Sequence, residues 1–262
     1  MQLRTFIEGL VFGALSQSNM AKVILKDLTT LNPELPTEEA PSQFPAMLGK
    51  LVNAINLGLT QIYTDLPLAQ EELFLQTNSA MDRYLLDVKH AEYAGRNTQD
   101  QKWIIDSALS PFRGNVIECL HVSDEYGARW YTNDSVATWN VNFPAPNVIQ
   151  VPFAEEDVSL SIVFKANHPK IEFSFNRTVI QTDGSFGYIK PDMDLELPEY
   201  LYDALTCFVA SKYYASLGSV EAIAQSHGLH AEYVSAIDNI KRGQVIHGDF
   251  TELDNLANEG WV

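Results

Sequence analysis

The period of the apolar residues changes twice along this chain, and those two changes restrict its fold more than any other feature. From Ala46 to Leu66, the residues Met47, Leu48, Leu51, Ile55, Leu59, Ile62 and Tyr63 keep to one face of a helix, and Thr64, Asp65 and Pro67 end it. Beyond Pro67 the period falls from about 3.6 to about 2, the mark of strands. ELFLQT, RYLLDV, VIECLHV, RWYT, VIQV, LSIVFKA and IEFSFNRTVI alternate or run apolar, with turn signals such as Asp124-Glu125-Tyr126-Gly127 between them. After Asp192 the helical period returns. Pro198 fits a first helical turn, and Leu201, Leu205, Phe208, Val209 and Leu217 form a stripe ending at Gly218. Ser219 then reads as the N-cap of a second helix whose core face is Val220, Ile223, Tyr233, Ile237 and Ile240. The pattern predicts an α+β chain. A small helical bundle, residues 1–66 and 194–243, carries an inserted antiparallel β-sandwich-like domain over 67–193, and 244–262 form a C-terminal extension.

Smaller features refine this layout. Residues 1–16 carry Leu3, Phe6, Ile7, Leu10, Val11 and Ala14 at helical spacing and predict a short helix weakened by Gly9 and Gly13. Residues 27–45 hold four prolines and predict a loop. DQKWIIDSALS, residues 100–110, reads as one helical segment stopping before Pro111, and no internal repeat is present.

Charge narrows the partners. Lys plus Arg number 17 against 34 Asp plus Glu, a formal net charge of −17, so the surface repels phosphate backbones and anionic headgroups. The two cysteines, Cys119 and Cys207, lie in apolar stretches and read as buried free thiols, since a core of this size needs no disulfide. Glu8, Gly9 and Gly13 interrupt the apolar run at the start, and no stretch approaches the ~18 apolar residues of a membrane span. The expectation is an untargeted protein made in the cytoplasm, with no membrane partner.

Chemistry leaves little trace. His227 and His230 share a helix face, but no third ligand stands at zinc spacing, and a helix break at Gly228 is the simpler expectation. Asp124 with Glu125, Glu155 to Asp157, and Asp192 with Asp194 all sit beside turn residues as solvated loop carboxylates do. No phosphate cradle, nucleophile elbow or dinucleotide fingerprint occurs, so no enzyme, cofactor or metal site is expected. Trp103, Trp130, Tyr131, Trp139 and Phe143, with Asn140, Asn142 and Asn147, either fill the β core or line a sugar- or protein-binding face; core packing is favoured.

Several segments, in order, carry a likeness of another kind. They are MQLRTFIEGLVFGALS, LGKLVNAINLGLTQIYTDLPLAQEEL, VIECLHVSDEYGARWYTND, NVIQVP with LSIVFKANHPKI, and LELPEYLYDALTCFVASKYYASLGS. Together they resemble the head-to-tail adaptors, or connectors, of tailed bacteriophages, over nearly the whole chain except residues 89–110 and the tail after Gly243. The resemblance implies a structural virion protein of the neck that forms a homo-oligomeric, twelvefold ring beneath the portal protein. Such a ring continues the DNA ejection channel and docks tail or nozzle proteins, and its acidic wall would let DNA pass without adhering. In that role the helix hairpin builds the ring, with Tyr213, Tyr214 and Tyr233 as exposed contacts between subunits or, alternatively, as cover for the chain's own core. Phe250, Leu253, Leu256 and Trp261 make the C-terminal segment too apolar for a solvated tail, so it either folds back or docks on the portal or a neighbour. The rival readings are a β-sandwich carbohydrate-binding or tail-associated module and a carboxylate-dependent hydrolase.

Overall fold

The computed structural model describes residues 1–16, 18, 44–95, 97, 99–134, 140–151, 158–171 and 194–242. It is a mixed α+β protein with four helices and two sheets among those residues. By contact the chain divides into two compact units, Met1–Asp65 with Lys170–Val262, and Leu66–Pro169. Most of the segment IEFSFNRTVI lies outside the described residues, as do residues 172–193 as a whole and the extension 244–262.

The first unit holds the helices. Helix α1 spans Leu3–Phe12, α2 Phe44–Asp65, α3 Tyr202–Ala215 and α4 Val220–Arg242. A ten-residue helix is marginal alone, and α1 has no side-chain cap. Packing holds it instead: Leu3, Phe6, Ile7, Leu10 and Val11 are all buried, each contributing about 2 kcal/mol. Leu51, Val52, Ile55, Leu59 and Ile62 give α2 the buried face its spacing predicts. Pro45 sits in the first turn of α2, where a missing N–H breaks no helical bond. Gly58 marks a close approach to α3, since a Cβ there would lie 2.7 Å from Leu205 Cδ1 and 2.9 Å from Phe208 Cδ1.

The turn between α3 and α4 is closed by Gly218 at φ +73°, and Ser219 Oγ accepts from the Ala222 N–H at 3.2 Å, so the N-cap lies where the sequence places it. Cys207 and Glu232, on either side of that turn, meet side chain to side chain, so the two helices run antiparallel. Three expectations fail here. Pro198 stands outside α3 and caps a single 3-10 turn, Glu199–Leu201, because its ψ of 143° is extended. Helix α4 passes through Gly228 unbroken, the buried Ser226, Tyr233 and Ile237 outweighing a glycine cost of about 1 kcal/mol. The core face of α4 is Ala222, Ser226, Tyr233 and Ile237, while Val220 and Ile223, like Leu217 before the helix, face solvent.

Among its described residues the second unit holds eight strands: β1 Gln70–Gln76, β2 Arg83–Leu85, β3 Ile104–Ile105, β4 Val116–Asp124, β5 Tyr131–Thr132, β6 Asn140–Ala145, β7 Val148–Gln150 and β8 Ser159–Ala166. One sheet runs β3-β1-β8-β4, antiparallel throughout; the other runs β2-β7-β6-β5. In the second sheet β5 pairs with β6 in parallel, which departs from the all-antiparallel expectation. Strict alternation along β8 buries Leu160, Ile162, Phe164 and Ala166, and these share one core with Leu73, Leu75 and Val122 of their own sheet and Tyr84, Val141 and Ile149 of the other.

The expected helix over 100–110 is absent. Ile104 and Ile105 instead form β3 on the edge of β1, with Phe74 opposite Ile105 and Leu75 opposite Ile104. Asp106 explains the irregular path around it, because its carboxylate accepts the backbone N–H groups of Tyr93, Ala94 and Phe112 at 2.6, 3.0 and 3.0 Å. Lys102 Nζ adds a second tie, donating to the carbonyls of Lys89 and Gly95.

Candidate interaction surfaces

The three tyrosines of the hairpin take different positions. Tyr214 is 5% exposed and Tyr233 3%, so both belong to the chain's own core and the expectation that they are exposed is corrected. Tyr214 Oη donates to the Ala14 carbonyl at 3.1 Å, tying α3 to the turn after α1. Tyr233 packs edge-on against Phe208 at 5.1 Å and donates to Asp65 Oδ2 at 3.1 Å, while Lys241 Nζ stands 3.6 Å from Asp65 Oδ1. Burial, then the Asp65 charge and hydrogen bond, raise the Tyr233 phenol well above its ordinary range. Tyr213 alone is half-exposed, its ring edge-on to that of Tyr214. Phe250, Leu253, Leu256 and Trp261 lie outside the described residues.

Neither thiol is poised for chemistry. Both cysteines are free; Cys119 is buried and Cys207, expected to be so, is half-buried beside Glu232. Burial and then Glu118 push the Cys119 thiol up to about 12, and burial and then Glu232 push that of Cys207 up to about 11, so both stay protonated at neutral pH. His227 and His230 are exposed on α4, and among the described residues no three His, Cys, Asp or Glu side chains cluster as a metal site would require. The Asp124 carboxylate is spent on its turn, accepting from the N–H groups of Tyr126 and Ala128 at 3.0 and 2.8 Å, with Gly127 at φ +81°.

The aromatic cluster divides in the same way. Trp103 and Trp130 are buried in the β core; Trp103 meets Tyr84 edge-on at 6.0 Å and His90 face-on at 3.6 Å, and its Nε1 donates to the Leu85 carbonyl at 3.1 Å. Asn140 is buried and Phe143 packs on the core, leaving Tyr131 as the exposed aromatic among the described members, with Asn147 exposed as well, while Trp139 lies outside the described residues. Trp103, Trp130 and Asn140 thus fill an interior, as core packing requires.

Two surfaces escape the sequence reading. On α4, Val220, Ile223 and Val234 are exposed at spacings that keep to one helix face, flanking the buried stripe that holds Tyr233 and Ile237. Ala222 and Ser226, small and weakly patterned, complete the buried stripe with Tyr233 and Ile237, so a search for large apolar residues adds Val220 and Ile223 to the core face in their place. The second surface is a cleft of about 250 Å3 where β1, β3 and the segment after β3 meet. A larger, polar cleft of about 500 Å3 lies beside Thr77, Asn78 and Trp103, but Tyr84 Oη and Lys102 Nζ at its wall are already committed to backbone partners. No helix among the described residues is long and apolar enough to cross a membrane.

The chain matches no protein-family model and no curated protein.

Proposed function

We propose that the chain is a structural neck protein of a tailed bacteriophage, a head-to-tail adaptor that forms a ring beneath the portal. The fold reading that goes with it is a helical bundle carrying an inserted β-sandwich. The observation that carries the proposal is the face of α4 where Val220, Ile223 and Val234 stay exposed, beside the stripe of Ala222, Ser226, Tyr233 and Ile237 that is already packed. A ring subunit needs a lateral surface of this kind, distinct from its own core, and a helix hairpin offers it on a rigid element. The buried Tyr214 and Tyr233 brace that hairpin, so the lateral contact moves to the α4 face. The net charge of −17 supports a channel wall that DNA passes without adhering. The whole-chain order of segments resembling adaptors supports it too, because each is structural in type.

The test is to mix the purified chain with portal rings from the same genome and follow sedimentation. The portal boundary should gain mass with the wild-type chain and gain none with an Ile223→Asp, Val234→Asp double variant that unfolds at the wild-type temperature. Equal gain with the variant would remove α4 from the contact, and no gain with either would remove the adaptor reading.

A further inference from the structure

The cleft beside β3 combines an apolar floor with a rim of carboxylates. Phe74 and Ile105 stand opposite each other in the β1–β3 register and face outward together, 46% and 38% exposed. Beneath them Phe112 meets Phe164 edge-on at 6.2 Å, closing the floor against the core. The turn after β3 is held by the Ser107 N–H donating to the Ser110 carbonyl and the Ser110 N–H donating to Ser107 Oγ, and it lifts Leu109 to 98% exposure. At about 250 Å3 the cleft falls below the ~300 Å3 at which drug-sized ligand and cofactor pockets begin, so it suits one large apolar side chain.

The rim selects what carries that side chain. Glu71, Glu72 and Asp106 all line the cleft. Asn115 Nδ2 donates to Glu71 Oε1 at 3.1 Å, Ser161 Oγ donates to Glu72 Oε1, and Asp106 takes three backbone N–H groups. These are all neutral donors. Among the described residues no Lys, Arg or His forms an ion pair with any of the three carboxylates. Three negative charges around an apolar socket repel another acidic surface, which includes a second copy of a chain whose net charge is −17. They attract a segment in which a bulky apolar residue is flanked by cations.

We infer that this cleft is a docking socket for a short basic-apolar protein segment, one Leu, Ile, Phe or Trp side chain entering between Phe74, Ile105 and Phe112 while neighbouring Lys or Arg residues meet Glu71 and Glu72. The anchor supplies the affinity, as a central buried side chain does in other interfaces, and the rim supplies selectivity and approach rate. The inference holds whether or not the chain joins a portal.

A panel of fluorescein-labelled hexapeptides tests it, with Leu, Ile, Phe or Trp at the centre, flanked by two lysines in one set and two glutamates in the other. Fluorescence anisotropy with the full chain should show saturable binding of lysine peptides and at least about tenfold weaker binding of their glutamate counterparts. Phe74→Ala should weaken the best lysine peptide about tenfold and Glu72→Gln about threefold, both variants unfolding at the wild-type temperature. On the wild-type chain the Ile105 δ-methyl resonance should shift with the same midpoint, a readout that needs no variant. Failure of every lysine peptide to bind, equal binding of the two sets, or an unmoved Ile105 methyl would overturn the inference. Concentration-dependent dimerisation that Leu109→Ser abolishes would overturn it as well, by giving the socket to a second copy.

Discussion

Single side chains settle several of the close approaches in the helical unit. Gly58 is the clearest, because Leu205 and Phe208 already fill the space its Cβ would take and both are buried with nowhere to retreat. Gly58→Val should therefore lower stability by about 2 kcal/mol through overpacking, read as a drop in denaturant midpoint at unchanged slope. Titration of buried acids makes a second prediction. Burial, followed by the nearby Glu196, pushes Tyr63 up to about 12 from an ordinary 10.0, and Cys119 goes to about 12 from 9.0. Both groups ionise more readily in the unfolded chain, so the stability they confer is whole below about pH 9 and is lost as the pH rises toward 12. Thermal unfolding should fall across that window, and Tyr63→Phe should flatten the fall; a profile that stays level from pH 9 to 12 would contradict it. The turn residues Asp124 and Gly127 and the cap Ser219 were legible because their roles depend on local backbone alone. Tyr214 and Tyr233 were not, since a tyrosine's polar tip reads the same whether it meets water or a carbonyl 200 residues away.

At the scale of elements, legibility followed the strength of the period. Helix α2 and strand β8 have apolar residues at the expected positions, and both lie where the sequence puts them. The stretch WIIDSAL has too few residues to show a period and no β-branched run beyond Ile104-Ile105, so three backbone donors reaching Asp106 decide its shape instead. Asp106→Asn replaces one of those acceptor oxygens with an NH2 donor and leaves at least one N–H unpaired. It should cost about 2 kcal/mol in chemical denaturation, whereas a loss below a few tenths would show that the clasp does not hold the segment. Strand β6 was missed because Pro144 argues against a strand. The register shifts between Asn142 and Ala145, so the proline falls where the ladder is already irregular and its absent N–H breaks no paired bond.

For the molecule as a whole, charge and the alternation of helical and strand periods gave the class, a mixed α+β chain, and disfavoured a nucleic-acid grip. Surfaces for partners were not legible, since an exposed Val or Phe is distinguished from a core one only once the phase of its helix or strand is fixed in three dimensions. That is why α4's outward Val220, Ile223 and Val234, and the Phe74–Ile105 socket, come from the structure. The proposed role makes a demand on assembly that no single-chain property meets: copies must close into a ring coaxial with the portal while leaving a passage for DNA. Electron cryo-microscopy of the chain incubated with portal rings measures this directly. The account predicts a continuous ring of added density on one face of the portal, an open channel along its axis, and α3–α4 hairpins side by side around it. Portal rings without added density, and a chain that stays a monomer beside them, would contradict it.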